Sequence, residues 1–181
     1  MTTVGIDKLC FYSSHYYLDL SILAEQRGID VDKFRIGLGQ NKMSVPAPSE
    51  DIVTMAANAA ERALKGEDRR CIDTVLFATE TAVDQAKAAG TSLHRLLDLP
   101  SRCRTVELKQ ACYGATIAIQ MAADMVHRKP NKKVLVIAAD ISRYGLGKPG
   151  ESTQGCAAVA ILVSANPRLI ALEAGSGLYK E

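Results

Sequence analysis

The chain has 181 residues, 48% apolar and 23% charged, and its 22 basic and 20 acidic side chains leave a net charge of +2. That length allows one domain with a real core, the composition is that of an ordinary globular protein, and the near balance of charge removes the electrostatic case for nucleic acid. Five scattered cysteines, with no CxxC pair or Cys/His cluster, argue against zinc and read as reduced thiols of a cytoplasmic protein.

Met1-Thr2-Thr3 runs directly into a β-branched and aromatic segment over 4–12 that predicts a first strand, with no basic-then-apolar leader before it. Residues 19–27 predict a short amphipathic helix stopped at Gly28, and Asp30 is placed to cap a second short helix through Ile36. Residues 37–40 and 46–48 read as loops. Ser49 is the expected N-cap of the next helix, with Glu50 and Asp51 in its first turn, apolar residues at helical spacing from Val53 to Leu64, and Gly66 at its end. The run over 74–78 is a strand of the kind buried on both faces. A helix over 86–97, ended by Pro100, leads to a strand over 103–108.

Residues 117–127 then form a helix that is apolar on most of its circumference and stops near Pro130. Such a helix belongs between two layers. A second doubly covered strand spans 134–139 and is closed by Asp140. After a Gly/Pro-containing loop over 144–153, strands over 157–163 and 169–172 are expected to pair as a hairpin about Asn166-Pro167. Strands alternating with helices predict one α/β domain over 1–181: a layered fold whose sheet is mixed and mostly parallel, with helices on both faces and the last hairpin as its antiparallel part. The apolar stretches are too short to cross a bilayer.

Two residues stand out chemically. Cys112, in Gln110-Ala111-Cys112-Tyr113-Gly114, lies between a predicted strand and a predicted helix. A thiol there meets the unpaired N–H groups and positive end of the helix, which favour the thiolate, the form that attacks a thioester. Gly114 permits close approach of backbone or substrate. The plain alternative is a small buried cysteine filling a helix–strand contact. Glu80 follows the apolar strand directly, at the end where α/β sheets gather functional groups. Partly desolvated, its carboxyl would titrate high and suit general acid–base work, against the alternative of a solvated loop glutamate. Since both follow strand ends, Cys112 and Glu80 are expected to share a crevice.

Other candidates are weaker. Asp140 reads as a turn or cap aspartate paired to Arg143, and Thr153 as a hydroxyl donor to a ligand or the start of a strand. His15, His94 and His127 read as incidental. Gly37-Leu38-Gly39 lacks the third glycine and the buried strand of a dinucleotide site.

Six landmarks occur together: Val4-Gly5-Ile6-Asp7, Ile36-Gly37-Leu38-Gly39-Gln40, Ala78-Thr79-Glu80-Thr81-Ala82-Val83-Asp84, Ala111-Cys112-Tyr113-Gly114-Ala115-Thr116, Asp140 with Arg143-Tyr144-Gly145, and Thr153-Gln154-Gly155. In order and spacing the chain resembles, over essentially its whole length, the N-terminal half of the 3-hydroxy-3-methylglutaryl-CoA synthases of the thiolase superfamily, in their bacterial form. The resemblance implies that Cys112 takes the acetyl group of acetyl-CoA as a thioester and that Glu80 removes a methyl proton from it. The carbanion then adds to the ketone of acetoacetyl-CoA, and hydrolysis releases hydroxymethylglutaryl-CoA for the mevalonate pathway. Asp30 and Val31 match positions that touch CoA, and Thr153 matches one near the pantetheine arm. The resemblance implies no cofactor and no metal, the CoA thioesters being substrates.

In that family a histidine orienting acetoacetyl-CoA lies in the second half of the fold, and none of His15, His94 or His127 matches it. Leu178-Tyr179-Lys180-Glu181 stands where that half would begin. The expectation is an N-terminal half, at most weakly active alone, that binds a complementary C-terminal half or a second copy as a homo-oligomer. Two other readings stay open: a β-branching synthase acting on acyl carrier protein, which shares the Glu and Cys motifs, and a non-catalytic assembly module.

Overall fold

Apolar residues spaced by two build the sheet and decide which helix covers which face. The computed structural model describes residues 2–173; the segment Leu178-Tyr179-Lys180-Glu181 lies outside the described residues. Along the chain come β1 (Val4–Ser13), β2 (Tyr16–Asp19), α1 (Leu20–Arg27), a π-helical turn (Lys33–Gly37), β3 (Lys42–Val45) and α2 (Ile52–Leu64). A 3-10 turn (Arg69–Cys71), β4 (Ile72–Ala78), α3 (Gly90–Leu96), β5 (Arg104–Leu108), α4 (Gly114–Arg128), β6 (Lys133–Ser142), a second 3-10 turn (Glu151–Thr153), β7 (Gly155–Ala165) and β8 (Ile170–Ala171) follow.

Six strands form one sheet in the order β5-β4-β6-β7-β1-β8. Successive side chains on a strand point to opposite faces. Val75, Phe77, Leu135, Ile137, Ala160 and Leu162 therefore meet α2 and α3 on one face, while Leu76, Val134, Val136, Ile161 and Val163 meet α4 on the other. On α2, the alanines Ala56, Ala59, Ala60 and Ala63 are fully buried, and their small size lets the helix lie close to the sheet. This is the expected layered α/β domain with helices on both faces.

The balance of strand directions differs from expectation. β4 runs parallel to β5 and β6, but the β6–β7, β7–β1 and β1–β8 pairs are antiparallel. The last two strands do not form a hairpin. Asn166, at φ 51°, donates its N–H to the Thr3 carbonyl, so the chain passes over the start of β1, and β8 pairs with the far edge of β1 at Gly5↔Ala171 and Ile6↔Ile170. β1 also carries a bulge at Asp7, between Ile6 and Lys8, which frees that side chain to turn into a charged cluster.

Local corrections have local causes. The N-cap of α2 is Asp51, not Ser49: Asp51 and Thr54 form a reciprocal capping box. Asp84 accepts from the N–H groups of Ala86 and Lys87, holding a turn where helix was expected and delaying α3 to Gly90. β2 and β3 pair antiparallel, Tyr16 opposite Val45, two strands that the sequence pattern does not predict. Finally, α4 buries only the stripe Gly114, Ala118, Ala122 and Val126. Its other flank stays half-exposed, and beside it on the same sheet face Leu9 and Phe11 are 47% and 63% exposed.

Candidate active site

Parallel pairing sets the site. Ala78 lies opposite Leu108 at the C-terminal ends of β4 and β5, so the segments leaving these strands start side by side. Thr79 N–H donates to the Leu108 carbonyl at 3.2 Å. The β5 exit folds into a tight turn in which Tyr113 N–H reaches the Gln110 carbonyl and Gly114 N–H the Ala111 carbonyl, both at 3.1 Å. Ala111 takes φ 43°, a left-handed conformation uncommon for a residue with a Cβ. The turn leaves Cys112 exposed, two residues before α4. Gly114 lets α4 start close against β4: a Cβ there would stand 3.3 Å from the Ala78 Cβ.

The turn brings Cys112 to Glu80. Hydrogen bonding toward the Glu80 carboxylate, followed by that carboxylate's charge, pushes the Cys112 thiol pKa above its ordinary value; the charge of Asp140 adds a smaller push. The two strand exits therefore lie side by side, but Cys112 and Glu80 stand exposed there rather than in a crevice of the described residues. The expected helix-stabilised thiolate is corrected, because a full negative charge nearby outweighs the partial charge of a helix end. The resting pair is a thiol beside a carboxylate. Glu80 is also exposed, so the desolvation expected for it is not provided by the described residues.

Asp140 is the residue whose role the sequence did not show. It sits within β6 rather than closing it, and its partner is the Glu80 loop, not Arg143. Its Oδ1 accepts from the Thr79 hydroxyl at 2.9 Å, Glu80 N–H at 2.8 Å, Thr81 N–H at 3.0 Å and the Thr81 hydroxyl at 2.7 Å. Thr81 Oγ1 in turn accepts from Ile141 N–H at 3.0 Å. One carboxylate oxygen thus binds three successive loop residues to β6. The only signal in the sequence was a pair of threonines flanking Glu80 and an aspartate about 60 residues away.

The remaining predicted residues divide into two groups. Thr153 is exposed, donates its hydroxyl to the Gly150 carbonyl at 2.8 Å, and shares a cleft of about 390 Å3 with Asp140, Ser44, Ala138 and Cys156. Asp30 and Val31 stand elsewhere. Asp30 Oδ1 accepts from Asp32 N–H at 3.0 Å, and Val31 packs on the cluster of Leu20, Leu23, Phe34 and Met43. They follow Ile29, which lines a second cavity, of about 270 Å3, between α1 and residues 147–152. Among the described residues, no three His, Cys, Asp or Glu side chains converge as a metal site, and no helix is long and apolar enough to cross a membrane.

Over residues 1–168 the chain matches the family described as hydroxymethylglutaryl-coenzyme A synthase N terminal. It is 52% identical over 171 residues to hydroxymethylglutaryl-CoA synthase of Enterococcus faecalis, a match covering 94% of this chain and 45% of that protein. It is 34% identical over 194 residues to the polyketide biosynthesis 3-hydroxy-3-methylglutaryl-ACP synthase PksG of Bacillus subtilis, covering 99% of this chain and 46% of the relative. Among solved structures it superposes on MvaS in complex with 3-hydroxy-3-methylglutaryl coenzyme A with a TM-score of 0.92 at 38% identity, covering 97% of this chain and 43% of that one. An HMG-CoA synthase complexed with CoA gives a TM-score of 0.89 at 46% identity, covering 92% and 43%. The chain spans under half the length of each of these proteins.

Proposed function

Since this chain belongs to the hydroxymethylglutaryl-CoA synthase N-terminal family, we propose that it supplies the acyl-accepting half of such a synthase, with Cys112 as nucleophile and Glu80 as base. The adjacent exits of β4 and β5, which bring Cys112 near enough to Glu80 for the carboxylate to raise the thiol pKa, carry this reading. Glu80 takes the thiol proton as sulfur attacks the acetyl carbonyl. The C–S bond to CoA then breaks, and CoA leaves as its thiol with that proton, so Glu80 is again a carboxylate beside S-acetyl-Cys112. From there it withdraws a proton from the acetyl methyl group, and the carbanion forms a C–C bond to the ketone carbon of acetoacetyl-CoA. The new alkoxide takes the proton back, and water cleaves the thioester to free the thiol. The acyl groups arrive already activated as thioesters, so this reading needs no cofactor and no metal.

Asp30 and Val31, with Thr153, are the CoA-contacting residues of the proposal. The half-exposed flank of α4 and the exposed Leu9 and Phe11 favour a partner on that face, either a complementary C-terminal half or a second copy. Cytoplasmic mevalonate synthesis is the setting that fits such an activity. The higher identity to the CoA enzyme than to the carrier-protein enzyme, 52% against 34%, favours acetyl-CoA over acetyl-carrier protein as donor.

Intact-mass measurement tests the reading. Incubation with acetyl-CoA is expected to add about 42 Da, one acetyl group, to Cys112, and Cys112→Ala to abolish the adduct. Transfer only from acetyl-carrier protein moves the assignment to β-branching. Transfer from neither donor overturns it in favour of an assembly module.

A further inference from the structure

Arg27 is the last residue of α1, and Glu151 opens the second 3-10 turn, 124 positions later in the chain. The two meet as a two-point ion pair: Arg27 Nε donates to Glu151 Oε2 at 2.9 Å and Nη2 to Oε1 at 2.7 Å. The Glu151 side chain is only 8% exposed. Its Oε2 also accepts from Gly147 N–H at 2.9 Å. Gly147 takes φ 70°, so one carboxylate fixes both the turn at 147 and the end of α1. The guanidinium holds this carboxyl at about 2, well below the ordinary range, so the pair is charged at every working pH.

The pair lines the cavity between α1 and residues 147–152 together with Phe34 and Ile29. Asp30 and Val31 follow Arg27 by three and four residues, and Thr153 follows Glu151 by two. These are the two segments assigned above to the CoA arm, and the bridge between them is this ion pair. A planar guanidinium on a carboxylate fixes direction as well as distance.

We propose that Arg27 and Glu151 are positioning residues for the acyl-CoA substrate: their ion pair sets the separation and mutual orientation of the 30–31 and 147–153 segments, so that a thioester held by both presents its carbonyl to Cys112. The inference rests on the acyl-transfer reading. Neither residue touches the reacting atoms. Its signature is therefore a loss of substrate capture without an equal loss of thiol chemistry.

The test follows acetylation of Cys112 by intact mass over a range of acetyl-CoA concentrations, alongside alkylation of the same thiol by iodoacetamide, which has no CoA arm. In Glu151→Gln, which keeps shape and loses charge, the half-saturating acetyl-CoA concentration is expected to rise about tenfold or more, with the saturating rate changing less than about threefold and alkylation unaltered. Arg27→Lys, which keeps charge and loses the fork, is expected to fall between wild type and Arg27→Met. Arg27 is the more exposed partner, so its variants carry the test if Glu151→Gln does not fold. An unchanged half-saturation in folded variants overturns the inference, as does a parallel fall in alkylation. A wild type that accepts no acetyl group at all overturns the acyl-transfer reading instead.

Discussion

Cys112 shows how one neighbour can reverse what local position dictates. Its place before α4 favours the thiolate, yet the nearby Glu80 carboxylate raises the thiol pKa. Removing that charge in Glu80→Gln lowers the pKa and leaves more thiolate at a given pH. Alkylation by iodoacetamide at neutral pH is expected to run several-fold faster than wild type, while proton abstraction from the acetyl group is lost. Both partners are exposed, so added salt screens the charge and narrows the difference; equal alkylation rates at low salt would sink this account. Asp140→Ala tests the loop in the same way. It removes the acceptor of four hydrogen bonds to residues 79–81, and acetyl transfer is expected to slow by about 10- to 100-fold with the CoA half-saturation little changed. A rise in half-saturation at an unaltered rate would instead make Asp140 a CoA ligand.

At the scale of elements, close approach matters more than propensity. Gly90 opens α3 against β5, where a Cβ would overlap the Thr105 hydroxyl, an atom with no hydrogen-bond partner among the described residues. Gly90→Ala is expected to cost about 1–3 kcal/mol in urea unfolding, and adding Thr105→Ala to recover most of it; no recovery would place the clash elsewhere. Such contacts between distant segments are what the sequence did not disclose. Asp19 and Gly28 announce the ends of α1, and Gly66 the end of α2, because caps act within a turn. The strands over 72–78 and 133–142 are legible because burial on both faces demands continuous apolar runs. By contrast β2 and β3 are four residues each, with only Leu18 and Met43 turned to the core while Tyr16 and Tyr17 are exposed, so one inward residue per strand is too little to write an alternation into the pattern. Cys112 and Glu80 could be named as candidates from their strand-end positions, whereas the Asp140 anchor and the Arg27–Glu151 pair depend on long-range geometry with no local period.

Over the whole molecule, charge at the Asp7 bulge links elements far apart in sequence. Asp7 accepts from Arg168, between β7 and β8, and from Lys133 of β6; Glu67, just after α2, takes Lys8, Lys133 and the same Arg168. The Arg168 hydrogen bond leads in holding Asp7 at about 2. Burial by itself pushes Glu67 up, and hydrogen bonds from Lys133, Lys8 and Arg168 outweigh it to leave that carboxyl at about 2 as well. Both side chains are at most 10% exposed. A carboxyl that titrates lower when folded contributes stability that is complete above its unfolded pKa and fades as pH falls through the folded one. Unfolding free energy is thus expected to be flat for this cluster from pH 7 to about 5 and to fall between about 4.5 and 2, by roughly 2–3 kcal/mol for each carboxyl acting alone. The sum is smaller because Lys133 and Arg168 serve both. Asp7→Asn should lower stability at pH 7, since it strips a buried partner from two cations, and should flatten the acid slope. Urea titrations at pH 7, 5, 4 and 3 on both proteins decide the matter: an acid slope as steep in Asp7→Asn as in wild type would assign acid sensitivity to carboxylates outside this cluster.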